Sequence, residues 1–354
     1  MLKMKGLKTK LLYGALVIAA LNSCAGTQSR EERTAAGPEW VYAPGSVYSE
    51  DRYISAVGYG TDRESAEKNA LGSLVAIFGQ SVAGETMASY RYTEAVTGGL
   101  IDMQEDSEIN SAVKTSFSMN TLIGAEIKDR WFDGKTTYYA IAVMDKIKSA
   151  LLYSELIESN LRVIQNLTVI SEADQYTFDA YAQYELAADI ADANAVFVNV
   201  LSVLSPATAS AFRNDLRQGD DYRLEARRVS QNIPVAVNVA NDKDGRIRGA
   251  FAAALSGAGF RTGGGGARYA LDAVLSMREA ELPENPNKFV RYTIDANLRD
   301  TASGTVLVPY SIEGREGHTS LSEAEVRAYR VAEEKIRKSY GEALRGYLSR
   351  LTSK

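Results

Sequence analysis

Residues 55–70 read SAVGYGTDRESAEKNA. An apolar, strand-like run breaks at Gly58-Tyr59-Gly60 and passes straight into a helix-like stretch. Strand, glycine turn and helix is how nucleotide-binding folds begin, with the first helical amides facing a phosphate. The third glycine of that motif is missing here, and Asp62 and Glu64 place two carboxylates where the phosphate would lie. Thr61 and Glu64 also have capping-box spacing, which satisfies the first free amides from within the chain. Carboxylate capping and anion binding compete for one helix end. The glycines therefore read as turning a corner, and no bound nucleotide is expected.

Working outward, Arg52–Val57 reads as a strand and residues 63–83 as a helix, with Ala66, Ala70, Leu74 and Phe78 stepping along one face. Residues 84–109 are polar, contain Gly84, Gly98 and Gly99, and give no element. Two strands follow, about 111–132 and 136–144, turning at Asp133-Gly134. The second is apolar on both faces, from Tyr138 to Met144, which predicts a central strand. Beyond Asp145 the pattern is helical to about Val229. One helix bears Ile147, Leu151, Leu156 and Ile164, a second covers about Glu172–Leu204 up to Ser205-Pro206, and a third covers about Ala207–Arg228.

A second strand–helix–strands–helix unit opens at Ile233-Pro234-Val235-Ala236-Val237. A helix at about 245–256 (Ile247, Phe251, Leu255) precedes strands near 269–280, 288–300 and 305–314, with a turn at Thr301–Gly304. Val290, Tyr292, Ile294, Ala296 and Leu298 alternate with polar residues, the pattern of a sheet covered on one face. A capping box at Ser320 and Glu323 starts the last helix. The Gly263–Gly266 run precedes a strand and reads as a loop.

The first two dozen residues point to a compartment. Lys3, Lys5, Lys8 and Lys10 form a basic region, and Leu11–Leu21 an apolar run too short to span a membrane. Leu21-Asn22-Ser23-Cys24 then has the shape of a lipobox, Asn22 departing from the stricter pattern. Cys24 is the only cysteine, so disulfides are excluded and acylation of Cys24, palmitate included, is the expected use of the thiol. Ala25 in place of aspartate favours the outer membrane. Without the four leader lysines the chain carries 36 basic against 45 acidic residues, a poor balance for binding nucleic acid.

Catalytic constellations are thin. The single histidine, His318, lies just before the last helix, and no H-E-x-x-H, G-x-S-x-G or C-x-x-C occurs. Glu31-Glu32 and Glu333-Glu334 read as solvated faces. The reading assigns no catalytic residue, no metal ligand and no cofactor. The tyrosines of the first unit (Tyr42, Tyr48, Tyr53, Tyr59, Tyr90, Tyr92) read chiefly as packing residues, with Trp40, Tyr42 and Tyr48 as a candidate partner surface.

Pro38-Glu39-Trp40-Val41, Tyr53-Ile-Ser-Ala-Val-Gly58 and the alanine-rich Glu64-Ser-Ala66-Glu67-Lys-Asn-Ala70 together resemble the LPP-twenty family of bacterial membrane-associated lipoproteins, over roughly residues 38–150. The same stretch is similar to the N-terminal part of the flagellar assembly protein T. Residues 232–352, through Tyr269-Ala-Leu-Asp272-Ala-Val and Leu298-Arg-Asp300-Thr-Ala-Ser-Gly304, resemble the small α+β domain of LpoB, CsgG and the TolB N-terminus. These resemblances imply non-enzymatic parts of envelope assemblies.

The expectation is an α+β protein: a signal peptide (1–23), a lipidated Cys24 and flexible tether (24–37), and an LPP-twenty-like domain (38–148). A helical hairpin or bundle (149–230) packs on that domain and precedes a C-terminal α+β domain (231–354). Its expected role is a lipid-anchored scaffold or accessory subunit of an outer-membrane or periplasmic assembly, held to the membrane by its acyl anchor and bound to an envelope protein. The alternatives are a surface-exposed lipoprotein binding host or environmental molecules and, behind that, a hydrolase using His318.

Overall fold

The computed structural model of the chain describes residues 37–79, 122–263 and 266–352. Two short helical turns, α1 (Glu39–Tyr42) and α2 (Pro44–Val47), lead into β1 (Tyr53–Gly60) and α3 (Arg63–Ile77). β2 (Ala125–Phe132) and β3 (Tyr138–Asp145) complete an antiparallel sheet in the order β1-β3-β2. The central position of β3 follows from its two apolar faces. Ala140, Ala142 and Met144 enter the larger core, while Ile141 and Val143 pack with Trp40 on the other side. The hairpin turns at Asp133-Gly134 as expected. Gly134 has φ +76°, and the Asp133 carboxylate accepts the N–H groups of Lys135, Thr136 and Thr137 at 2.8–3.1 Å. Residues 84–109, and the expected strand before Leu122, lie outside the described residues.

The Gly-Tyr-Gly motif does not turn the corner. Gly58 and Gly60 are extended residues of β1, opposite Ala140 and Tyr138 of β3. A Cβ on Gly58 would lie 2.0 Å from Ala70 N and 2.5 Å from Ala66 O. The glycines thus let α3 lie directly on the strand, and the buried Ala66 and Ala70 supply the matching small surface. The cap is also one residue later than the sequence suggests. Asp62, not Thr61, is the N-cap, its Oδ1 accepting Ser65 N–H at 2.8 Å. Ala66, Ala70, Leu74 and Phe78 are all buried, so the face of α3 is as expected.

Residues 146–231 form α4 (Lys146–Thr168), α5 (Phe178–Leu204), α6 (Pro206–Asp215) and α7 (Gly219–Gln231). The single third helix predicted over 207–228 is two helices, separated at residues 216–218. α4 buries Leu152, Tyr153, Leu156, Ile157 and Ile164. Ile147 and Leu151, expected on that face, are 75% and 58% exposed because they precede and flank it in rotation. α5 is long and apolar enough to cross a membrane by composition, yet most of it is inside the protein, with Ala187, Ile190, Val200 and Leu201 fully buried. As expected, these helices pack on the first sheet. Unexpectedly, the start of α5 belongs to the other core: Phe178 stacks on Tyr269 with ring centroids 3.9 Å apart, and Phe178 N–H donates to Tyr269 Oη at 3.2 Å.

β4 (Pro234–Ala240), α8 (Arg246–Gly257) and the two-residue β5 (Arg261–Thr262) open the second unit. β6 (Tyr269–Ala280), β7 (Lys288–Asp300) and β8 (Val306–His318) follow as an antiparallel meander. The sheet order is β5-β4-β6-β7-β8, with β4 parallel to both neighbours. α9 (Leu321–Lys335), a π-helical turn at Ile336–Tyr340 and α10 (Gly341–Leu351) close the chain. Ser320 caps α9 by accepting Glu323 N–H. Val290, Tyr292, Ile294, Ala296 and Leu298 are buried under α8–α10, as their alternation predicts. Glu333 corrects one expectation: it is paired with Arg246 across the packed helices instead of lying on a solvated face.

Replacing Gly58 with alanine should lower the unfolding free energy by about 3 kcal/mol, since backbone of α3 occupies the space its Cβ needs. Gly72→Ala, where a Cβ meets nothing within 4 Å, should raise it by about 1 kcal/mol. Urea midpoints of the two variants should move in opposite directions.

Candidate functional site

Sheet edges are where a chain of this kind can engage another. β2 is interrupted by a bulge between Ile127 and Asp129 and carries Lys128 and Arg130. β8 carries Pro309, which has no N–H, together with Glu313, Arg315 and Glu316. Bulges, proline and charge are devices that blunt an edge against pairing. On β1, the Tyr59 carbonyl accepts from the Asn69 side chain at 2.8 Å.

β4 has none of these devices beyond its first residue. β5 pairs with it only at Pro234 and Val235, and Gly263 N–H reaches Val235 O at 3.1 Å. Backbone groups alternate sides along a strand. With Val235 directed toward β5, the N–H and C=O groups of Val237 and Val239 point away from β6, and among the described residues no backbone partner meets them. Their side chains are half-buried against the helix-covered core. An open groove of about 790 Å³ spans this end of β4, lined by Val237, Val239, the β4–α8 connection and Arg248, and reaches across to Asp272 and the exposed Val274 of β6. A second groove of about 550 Å³ continues it past Val237 and Asn238 toward Thr301.

The β4–α8 connection is held by local chemistry. Asn241 takes φ +66°, a conformation asparagine tolerates, and its side-chain amide donates to Leu275 O. Asp242 Oδ2 accepts Arg248 N–H at 2.8 Å, fixing the first turn of α8. Asp242 Oδ1 is enclosed and has no hydrogen-bond donor among the described residues. On the open face, Asn238 donates to Asp272 at 2.8 Å, and Arg299 also pairs with Asp272. Burial works to raise the Asp272 carboxyl, but these two donors outweigh it and hold it below the usual carboxylate range.

The residues singled out from sequence fall elsewhere. Leu21, Asn22, Ser23 and Cys24, with Tyr90 and Tyr92, lie outside the described residues. Trp40 is removed from any contact surface: it is buried, and its indole N–H donates to Asp129 Oδ2 at 2.8 Å. Tyr48 is half-buried, edge-on to Tyr53 at 5.7 Å, and Tyr42 alone of the three is exposed. His318 is the exposed last residue of β8, opposite Lys288, with Nδ1 3.2 Å from Thr319 Oγ1 of the next residue. Among the described residues no group of three or more histidine, cysteine or acidic side chains is placed to hold a metal ion. The β4 edge was missed because strand order is not written in the strand itself. Val235–Ala240 carries neither charge nor proline, but Tyr53–Gly60 of β1 shares that composition, so it does not by itself single out this edge.

Residues 38–145 match the family model described as LPP20 lipoprotein. No curated protein matches the chain. Among solved structures, the secreted protein HP1454 from Helicobacter pylori is similar at 15% identity, over 81% of this chain and 97% of that one, with a TM-score of 0.41. A minor lipoprotein from Acinetobacter baumannii shows 11% identity over 32% of this chain and 91% of its own, at a TM-score of 0.27. PelC, a dodecamer from Paraburkholderia phytofirmans, shows 20% identity over 35% and 88%, at 0.21. These scores are too low for the likenesses to bear on architecture or role.

Asp272→Asn should cost about 0.5–1 kcal/mol near neutral pH, allowing for solvent screening of a partly exposed pair. A carboxyl held low in the folded state stabilises above its unfolded pKa and loses that contribution as pH falls through the folded value. Urea unfolding curves of wild type and Asp272→Asn should therefore converge on acidification.

Proposed function

We propose, from the premise that residues 38–145 are an LPP20 lipoprotein domain, that this chain is a lipid-anchored scaffold or accessory subunit of a bacterial envelope assembly, without catalytic activity. Cys24, behind Leu21-Asn22-Ser23, carries the acyl chains and holds the protein at the outer membrane. The observation that carries the binding role is the outward-facing backbone of Val237 and Val239 beside an open groove. An extended segment of an envelope partner adds there as a further strand. Main-chain hydrogen bonds supply affinity, and the surroundings of Arg248 and the β4–α8 connection select the side chains. His318, exposed at the far end of the opposite edge strand, has no part in this reading.

Val239→Pro removes one outward N–H while leaving the β6 pairing intact, because that residue's backbone groups face away from β6. With a photo-crosslinker at Asn238 in cells, the crosslinked partner should fall about two- to tenfold in Val239→Pro, with thermal unfolding little changed, on the loss of an edge hydrogen bond. Undiminished crosslinking would sink the edge as the docking site. Separately, Cys24→Ala should move the protein from the membrane to the soluble fraction and abolish the acyl mass on its N-terminal peptide.

A further inference from the structure

The register of the β6–β8 meander places three arginines in one row. Arg278 of β6 is opposite Arg291 of β7, and Arg291 is opposite Arg315 of β8. All three are exposed, on the sheet face turned away from α8–α10. With strands about 4.8 Å apart, three guanidinium groups fall within a span of about 10 Å. Like charges directly opposite one another destabilise a sheet, so the row opposes folding and calls for a counter-charge.

The protein does not supply one among the described residues. Glu279 and Glu316, both opposite Val290 on the helix-covered face, pair with Lys288 and with Arg327 of α9, which leaves Glu313 as the nearest carboxylate on the row's own face. Glu313, one row away opposite Thr293, makes no ion pair with the row. Arg299, further along the same face, is matched by Asp272. Among the described residues, Arg278 and Arg291 have no acidic or hydrogen-bonding partner, and Arg315 has only the Phe289 ring, 5.7 Å from its guanidinium carbon. In a chain of net charge −5, three unmatched guanidiniums in a line form a local basic field of opposite sign to the whole.

We propose that this row, Arg278, Arg291 and Arg315, docks on the phosphate groups of an anionic lipid surface. Charge complementarity requires several negative groups close together, and guanidinium forks match phosphate oxygens two at a time. The shape favours a lipid surface over an acidic peptide. The row crosses the open face of a sheet from strand to strand, where a flat array of headgroups meets all three arginines at once. An extended peptide instead fits along a strand edge. The proposal rests on the lipoprotein reading for its proximity to a membrane, and it lays the second sheet flat against the bilayer.

The test uses the chain from residue 24 onward carrying Cys24→Ala, so that any vesicle binding comes from the folded surface and not from an acyl anchor. Co-sedimentation should show binding to vesicles of phosphatidylcholine with phosphatidylglycerol and little to phosphatidylcholine alone. Each arginine replaced by glutamine should weaken it roughly fivefold, and R278Q/R291Q/R315Q about a hundredfold. The triple variant should melt no lower than its parent, because it removes like-charge repulsion, and Lys148→Gln on α4 should bind as the parent does. Equal binding by the triple variant, or no preference for the anionic vesicles, would overturn the assignment. So would binding of poly-glutamate with none to vesicles, which would give the row to an acidic protein. Acylation of Cys24 is read independently by mass spectrometry of the wild-type protein, so loss of the anchor and loss of the arginine surface are told apart.

Discussion

Two helices hold the halves of this protein to each other: α7 places Tyr222 in the first core and Val229 in the second, and α5 does the larger share. The apolar residues of α5 are divided between two cores: Leu186 to Leu204 lie in the core of the first sheet and its helices, and Phe178 and Ala180 in the core of the second sheet. The junction is aromatic. Phe178 stacks on Tyr269, meets Phe260 edge-on at 5.0 Å, and gives its N–H to the Tyr269 hydroxyl. Burial of a single phenylalanine contributes about 1.5–3 kcal/mol, and here it lies at the start of a continuous helix. Separating the cores would expose that ring and break the bond that holds the first turn. The helical segment is consequently no independent spacer between two modules; it is the back of one and the attachment of the other.

The surfaces left over by this packing have unlike characters. The helix-covered faces of both sheets are closed by apolar side chains, with Gly58 against Ala70 the tightest approach of helix to strand. What stays open is an uncharged stretch of strand edge at β4 and a charged, flat face across β6–β8. Among the described residues the first offers unpaired main-chain groups and the second unpaired cations. Their occupants therefore differ in chemistry, an extended peptide segment in one case and an array of phosphates in the other. Both surfaces belong to a chain whose residues 38–145 match a lipoprotein family model.

Much of the architecture was legible along the chain because periodicity is a local property. The alternation at Val290–Leu298, the four-residue step of Ala66–Phe78, the Asp133-Gly134 turn and the two-faced β3 each report which side of an element meets apolar neighbours, and each lies as read. The misreadings came where neighbours decide. Gly58 and Gly60 look alike whether a chain turns or a helix leans on it, and only the position of Ala70 distinguishes the two. Trp40 looks like a surface aromatic until Asp129, 89 positions later, takes its indole proton.

By itself, then, the order of residues determined most of the elements and the faces they bury, since each depends on side chains a few positions apart. Only the tertiary structure decided which strand has a free edge and which arginines stand in a row. Both depend on strand order and register, that is, on hydrogen bonds between segments tens of residues apart. The three arginines, at positions 278, 291 and 315, carry no common spacing that a one-dimensional reading could recognise.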